Sequence, residues 1–174
     1  MNEPIHLVRG IPEEPTARSV PSFEVFFQEE RTRLYRALCL ITRNRYEAEE
    51  LTQDAFVRVL EHWARVGVMD DATGYLYRTA MNSFRKAHRR AVMAAKRATG
   101  LTHQDDGLEH IEGADAAIRA LAILSPRQRA AVVLVDLLGY PSEEAAKILG
   151  VRAGTVRTHV ARGHAALKET IRDE

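Results

Sequence analysis

The sequence is poor in the residues that build disulfide-linked and metal-bound cores. It has one cysteine, one tryptophan and only 6% aromatic residues among 174. Cys39 has no second cysteine for an internal disulfide or a cysteine-rich metal site, and its apolar neighbours predict that it is buried. The longest strongly apolar run, residues 130–135, is far shorter than the roughly 20 residues that cross a bilayer. The first residues also lack a secretory pattern, so we expect a cytoplasmic protein without membrane insertion.

Catalytic signatures are equally scarce. The acidic residues between positions 47 and 61 point in different directions around a helix, and no nucleophile or oxyanion-stabilising group accompanies them. The histidines have neither the HExxH spacing nor the paired Cys/His spacing of zinc sites, and there is no P-loop or dinucleotide glycine motif. The sequence therefore predicts a non-enzymatic protein with no metal and no cofactor.

Charge is unevenly distributed, although the formal net charge is only +1. Apart from histidine, every charged residue between positions 74 and 100 is basic, namely Arg78, Arg85, Lys86, Arg89, Arg90, Lys96 and Arg97. Every charged residue between positions 101 and 117 is acidic, namely Asp105, Asp106, Glu109, Glu112 and Asp115. Residues 147–168 are again basic. Nucleic acid is bound by local clusters of cations and not by net charge. The two basic blocks on either side of an acidic connector therefore favour nucleic-acid binding at two places.

Helical periodicity runs through most of the chain, with apolar residues at three- and four-residue steps and no strand alternation. Ser125, Pro126 and Gln128 combine an N-cap serine, a proline at the first helical position and a capping-box glutamine. Other residues placed to begin or end helices are Ser22, Thr73, Gly139, Ser142 and Gly150. The predicted fold class is all-α.

The composition divides the chain into four parts. We expect a disordered leader over residues 1–21, a helical domain over 22–97, a flexible acidic linker over 98–115 and a second small helical domain over 116–174. A fully extended linker would let the two domains bind well-separated parts of one partner.

Residues 141–160 have the pattern of a helix-turn-helix, with small Ala145 where the helices cross and Gly150 at the turn. Arginine can bridge a guanine edge, and threonine suits phosphate oxygens or a thymine methyl group. The candidate DNA-binding residues of the second helix are Thr155, Arg157, Thr158, His159 and Arg162. The alternative is an ordinary helical hairpin with a solvated basic face.

The basic helix over residues 75–90 interleaves aromatic residues with cations, a composition that suits single-stranded nucleic acid. Here too a simpler alternative exists, in which Tyr77 and Phe84 belong to the core and the cations form a solvated face.

Residues 34–56 and 74–82 resemble region 2 of extracytoplasmic-function (ECF) sigma factors, and residues 124–162 resemble their region 4. Together the matches cover roughly residues 23–168 in the order found in the family. The resemblance implies an RNA polymerase sigma factor that directs the core polymerase to specific promoters and helps to open the −10 region for transcription initiation.

The resemblance also implies a role for each set of residues. Glu50, Gln53 and Asp54 would dock on the clamp helices of the polymerase largest subunit. The helix that begins near Thr155 would read the −35 element, and the second domain would also meet the flap of the second-largest subunit. The linker would thread toward the RNA exit channel, and an anti-sigma factor is expected as a further partner. The −10 element would be bound by Asn82, Arg85, Lys86, Arg89 and Arg90.

Four positions depart from the family pattern, so the promoter sequence is not predicted. Aspartate is frequent in the family where this sequence has Glu50, and tryptophan is frequent where it has Tyr75. Arginine is frequent at the positions of Met81 and His159. The alternative function is a stand-alone helix-turn-helix transcriptional regulator that binds duplex DNA as a dimer. A helical enzyme is disfavoured because the sequence has no catalytic constellation. An adaptor that holds another sigma factor is disfavoured because the DNA-facing cations of both domains would then have no purpose.

Overall fold

The computed structural model describes residues 22–97 and 115–172. These residues form helices joined by short turns, with no strand among them, which confirms the all-α prediction. The predicted leader and linker residues 98–114 lie outside the described residues. Within the described part of the chain, no helix is long and apolar enough to span a membrane.

The first helical unit consists of α1 (Phe23–Thr42), α2 (Arg45–Glu61), the short α3 (Trp63–Val66) and α4 (Ala72–Arg97). The periodicity predicts the three long helices, whereas the single turn of α3 is too short to show a period. The apolar faces of the long helices meet in a core that includes Leu34, Ala48, Ala55, Val59, Leu76 and Ala80.

The helix starts of this unit differ from the sequence predictions in their detail. Ser22 does precede α1, but its hydroxyl donates to the Glu24 carboxylate instead of accepting a backbone N–H. Thr73 is not a cap, because it lies inside α4 and its hydroxyl donates to Glu30 at 3.1 Å. The carboxylate of Asp71 instead accepts the Gly74 N–H at 2.7 Å. A Cβ at position 74 would collide with that carboxylate, so glycine permits this cap.

The second helical unit consists of α5 (Asp115–Leu121), α6 (Pro126–Val132), α7 (Ser142–Leu149) and α8 (Ala153–Arg172). Helix α6 continues as a π-helical turn over Val133–Leu137, which the sequence does not signal. Ile118, Leu134, Ile148 and Val156 are among the buried residues of this unit.

The capping box before α6 is confirmed. Ser125 N–H donates to Gln128 Oε1 at 2.9 Å, and Gln128 N–H donates back to Ser125 Oγ at 3.4 Å. The predicted cap at Ser142 is wrong, because Pro141 occupies the N-cap position and Ser142 is the first residue of α7. Gly139 and Gly150 have φ angles of 76° and 62°, the left-handed conformation expected where a glycine ends a helix.

The two units pack against each other, and their buried residues form one continuous hydrophobic cluster. Arg129 of α6 is only 6% exposed and donates from Nε to the Ile41 carbonyl of α1 at 2.7 Å. The rings of Tyr77 on α4 and Tyr140 before α7 meet edge to face, with centroids 5.8 Å apart. The composition indicates two tethered domains and gives no sign of this contact. The division into functional domains remains a prediction.

Candidate nucleic-acid and polymerase interfaces

Helices α7 and α8 form a helix-turn-helix around a buried seam. Ala145, Ile148 and Val156 are at most 2% exposed, so the two helices cross closely where the sequence has small or branched residues. Gly150 ends α7 in the left-handed conformation, and the Val151 N–H donates to the Ala146 carbonyl at 3.1 Å. The geometry agrees with the motif predicted from residues 141–160.

The five candidate residues on α8 do not share one face. Thr155, Thr158, His159 and Arg162 follow the i, i+3, i+4, i+7 spacing of a single helix face, and all but His159 are exposed. Arg157 lies on the opposite flank and pairs with Glu143 of α7 at 2.9 Å. The structure therefore groups four of the predicted residues and separates the fifth.

His159 is the partly buried member of that face. Burial lowers the pKa of His159 below its ordinary value of 6.5, and the positive charges of Arg127 and Arg162 lower it further. The imidazole is therefore neutral near pH 7 and can donate or accept a hydrogen bond.

The five candidate residues on α4 do share one face, because their spacing is i, i+3, i+4, i+7 and i+8. Arg85 is half-buried, and the others are exposed. The Arg85 guanidinium donates both to the Asn82 side chain and to the Leu149 carbonyl at the end of α7. This face of α4 thus touches the helix-turn-helix through one of its own candidate DNA-binding residues.

The three candidate polymerase-binding residues on α2 differ in their surroundings. Glu50 and Gln53 are exposed. Asp54 is half-buried, accepts the Ser83 hydroxyl at 2.9 Å and pairs with Arg58 at 3.0 Å. Asp54 therefore helps to join α2 to α4, while Glu50 and Gln53 remain open to a partner.

An exposed apolar stripe flanks these residues and is not among the candidate sites predicted from the sequence. Tyr46, Val57 and Leu60 are 74%, 54% and 52% exposed. With Glu50 and Gln53 they follow a 4-3-4-3 spacing, the seam that one helix of a coiled coil presents to another. This spacing was the available signal, but the burial of each position was needed to show that the stripe faces outward.

No group of His, Cys, Asp and Glu side chains within residues 22–97 and 115–172 is placed to hold a metal ion. Cys39 is buried, and burial raises the pKa of its thiol.

Comparison with known proteins places the chain in a family. The Sigma-70 region 2 model matches residues 26–92, and the Sigma-70, region 4 model matches residues 114–167. The ECF RNA polymerase sigma factor SigM of Mycobacterium tuberculosis is 32% identical over 149 residues, which cover 84% of this chain and 75% of SigM. The chain belongs to the ECF sigma factors of the sigma-70 family. The resemblance drawn from the sequence is thereby confirmed, in preference to a stand-alone helix-turn-helix regulator.

Other relatives agree with this assignment. The ECF RNA polymerase sigma factor SigE of Mycolicibacterium smegmatis is 32% identical over 163 residues, and the match covers 87% of this sigma factor but only 62% of SigE. Among solved structures, the sigma factor RpoE in complex with the anti-sigma factor NepR from Bartonella quintana has a TM-score of 0.76 at 21% identity, covering 86% of this chain and 96% of RpoE. CnrH in complex with the cytosolic domain of CnrY has a TM-score of 0.59 at 20% identity, and the match covers 87% of this chain and 88% of CnrH. These structures share the fold.

Proposed function

We propose that this sigma factor directs core RNA polymerase to specific promoters, with the first unit binding polymerase and the −10 element and the second unit binding the −35 element. The observation that carries the proposal is the position of two candidate DNA-binding faces, on α4 and α8, in two helical units that match different sigma-70 regions. The role requires no catalytic site in this chain, and it belongs in the cytoplasm, where polymerase and promoter DNA meet.

The docking surface on polymerase would be the exposed stripe of α2. Its 4-3-4-3 spacing suits a coiled-coil partner, and the clamp helices of the largest subunit are such a partner in the resemblance described above. Val57 and Leu60 would supply apolar contact area, and Glu50 and Gln53 would supply polar specificity.

The −10 element would bind on the basic face of α4. Lys86, Arg89 and Arg90 are exposed and can hold the DNA backbone, while the Asn82 amide can hydrogen-bond a base edge. A groove of about 440 Å³ between α2 and α4 is lined by Glu50 and Gln53 as well as by Lys86 and Arg90. The candidate polymerase and −10 surfaces therefore adjoin each other, as the opening of DNA beside bound polymerase requires.

The −35 element would bind along α8 in the major groove. Thr155, Thr158 and Arg162 project from one exposed face with chemistry suited to phosphates and base edges.

An anti-sigma factor is proposed as a regulatory partner, supported by the complexes in which the RpoE and CnrH structures were solved.

Two groups of variants separate these roles in a reconstituted system of polymerase core, promoter DNA and this chain. Val57→Asp, or Glu50→Lys with Gln53→Ala, should weaken core binding by about tenfold or more, because each places an unfavourable group in the docking stripe. Val25→Asp is the matched control, since Val25 on α1 is 55% exposed and Val57 is 54% exposed. Equal core binding by the Val57 and Val25 variants would contradict the docking surface.

The second group is the double variant Lys86→Ala with Arg89→Ala. It should keep core binding but reduce the permanganate reactivity of thymines near −10, because fewer cations hold the opened strand. Arg36→Ala, which removes an exposed cation of α1, is its control. If the double variant opens the promoter as fully as the wild-type chain, the basic face of α4 is not the −10 site.

A further inference from the structure

The packed units enclose a cleft of about 750 Å³ between α4 and the face formed by α6 and the α7–α8 turn. Its volume lies within the range of roughly 300–1,000 Å³ that is typical of small-molecule sites. Its floor is apolar, because the side chains of Met81, Phe84 and Leu149 are buried beneath it. The cleft can therefore cover the apolar body of a small organic molecule.

The walls of the cleft carry cations from both units. Lys86 and Arg89 come from α4 and Arg127 comes from the second unit, where it lies beside the neutral imidazole of His159. No carboxylate is among the described residues that line the cleft. The pKa of His159 agrees with this imbalance, because burial lowers it and repulsion from the charges of Arg127 and Arg162 lowers it further. A bound anion would relieve this repulsion.

The cleft shares residues with both candidate DNA-binding faces. Asn82, Arg85, Lys86 and Arg89 are candidate −10 residues, and His159 is a candidate −35 residue. In this packed arrangement Arg85 already donates to the Leu149 carbonyl of the second unit. A ligand in the cleft would contact the two units at once and would occupy cations that are candidates for DNA binding.

We propose that this cleft is a binding site for a small organic anion with an apolar body, and that the bound anion holds the two units together and opposes promoter binding. The second half of the proposal rests on the proposed function. Because the ligand binds only where both walls are present, it must favour the packed arrangement over any arrangement in which the units are apart.

The binding half is tested on the full chain without polymerase or DNA. The probe is 1-anilinonaphthalene-8-sulfonate, whose fluorescence rises in apolar sites, and its uncharged analogue is N-phenyl-1-naphthylamine. The sulfonate should bind saturably at one site and at least about tenfold more tightly than the neutral analogue. Equal affinity of the two probes, or absence of saturable binding, would overturn the proposal.

Variants locate the probe. Arg127→Glu reverses one wall charge, and Val151→Trp puts a large ring at the 42% exposed mouth residue, so each should weaken sulfonate binding by about tenfold or more. Arg119→Glu is the control, because Arg119 is an exposed cation of α5 that does not line the cleft. Circular dichroism shows whether each variant remains helical. Unchanged binding by both folded cleft variants would place the probe elsewhere and refute the site.

The regulatory half uses start-site-specific transcription with polymerase core. Saturating sulfonate probe should reduce transcription by the wild-type chain but spare the folded Arg127→Glu chain, provided that this chain is active without probe. If probe binding is confirmed and transcription is unaffected, the site stands and its regulatory role is refuted. If the chain never directs transcription, the proposed function fails, while the binding result is unaltered.

Discussion

The Nε–H of Arg129 donates to the main-chain carbonyl of Ile41 at 2.7 Å, across the contact between the two helical units. Nη1 of the same guanidinium donates to the Leu124 carbonyl at 3.1 Å. Both carbonyls lie near the ends of helices, where the last turn has acceptors without an intrahelical donor. A single buried cation thus serves the C-terminal turn of α1 and the turn before α6.

Replacing Arg129 with methionine should destabilise the chain by about 2–4 kcal/mol, because two buried acceptors lose their charged donor. Urea denaturation of the full chain, followed by helical circular dichroism, measures this change. Arg127→Met is the control, since Arg127 is exposed and two residues away. A loss of stability no larger than that of the control would mean that the buried hydrogen bonds contribute little.

Gly150 is predicted to be intolerant of alanine. Its φ of 62° is costly for a residue with a Cβ, and a Cβ there would collide with the Arg85 guanidinium. Gly150→Ala should therefore cost about 1–2 kcal/mol in unfolding free energy. Gly154→Ala is the matched control, because a Cβ at position 154 meets nothing within 4 Å, and the change should be neutral or stabilising by up to about 1 kcal/mol. Similar effects of the two substitutions would contradict the packing of Arg85 on the turn.

His159 gives a prediction about pH. Its pKa is lowered in the folded chain, so the unfolded chain binds the proton more readily. This difference stabilises the folded chain when the pH is above 6.5, the ordinary pKa of histidine. The stabilisation is lost as the pH falls through the lower pKa of the folded state. Proton NMR should report a His159 pKa below 6.5, and Arg127→Gln should move it upward, because one of the named positive charges is removed. A His159 pKa at or above 6.5 in the wild-type chain would be inconsistent with this environment.

The structure also distinguishes two arginines that the sequence places in one set. Arg162 lies on the exposed face with Thr155 and Thr158, and its replacement by alanine should cost about 1–3 kcal/mol in promoter-specific transcription if it reads a base. Arg157 is already paired with Glu143 on the other flank, so Arg157→Ala should cost no more than about 1 kcal/mol. Competitive transcription from wild-type and −35-mutant promoters measures both. A larger effect at Arg157 would show that the opposite flank of α8 enters the groove.

Some elements of the structure follow from one local rule of the sequence. The periodicity of α1, α2 and α4 and the capping box at Ser125 needed no distant contact. Residue type alone predicts caps at Thr73 and Ser142, but a cap depends on which side chain can reach the first free N–H groups. Asp71 reaches them only because Gly74 leaves room.

The contact between the units could not be predicted, because it depends on residues far apart in the sequence. A charged residue in a helical pattern usually indicates an exposed position, yet Arg129 is buried against the end of α1. The helix-turn-helix pattern and the basic block predict the candidate residues of α8 and the cations of α4, whereas Asn82, Glu50, Gln53 and Asp54 are predicted only through the family resemblance. Their faces required the structure, which separates Arg157 from the rest of its set and ties Asp54 to Ser83.

The most direct test of the central claim is the mapping of transcript starts made by purified core polymerase on genomic DNA fragments, with and without the full chain. We expect a discrete set of new start sites that appear only when the chain is added, each preceded by shared −10 and −35 sequences. A chain that leaves start-site choice unchanged and does not bind the core enzyme would contradict the proposed role in promoter selection.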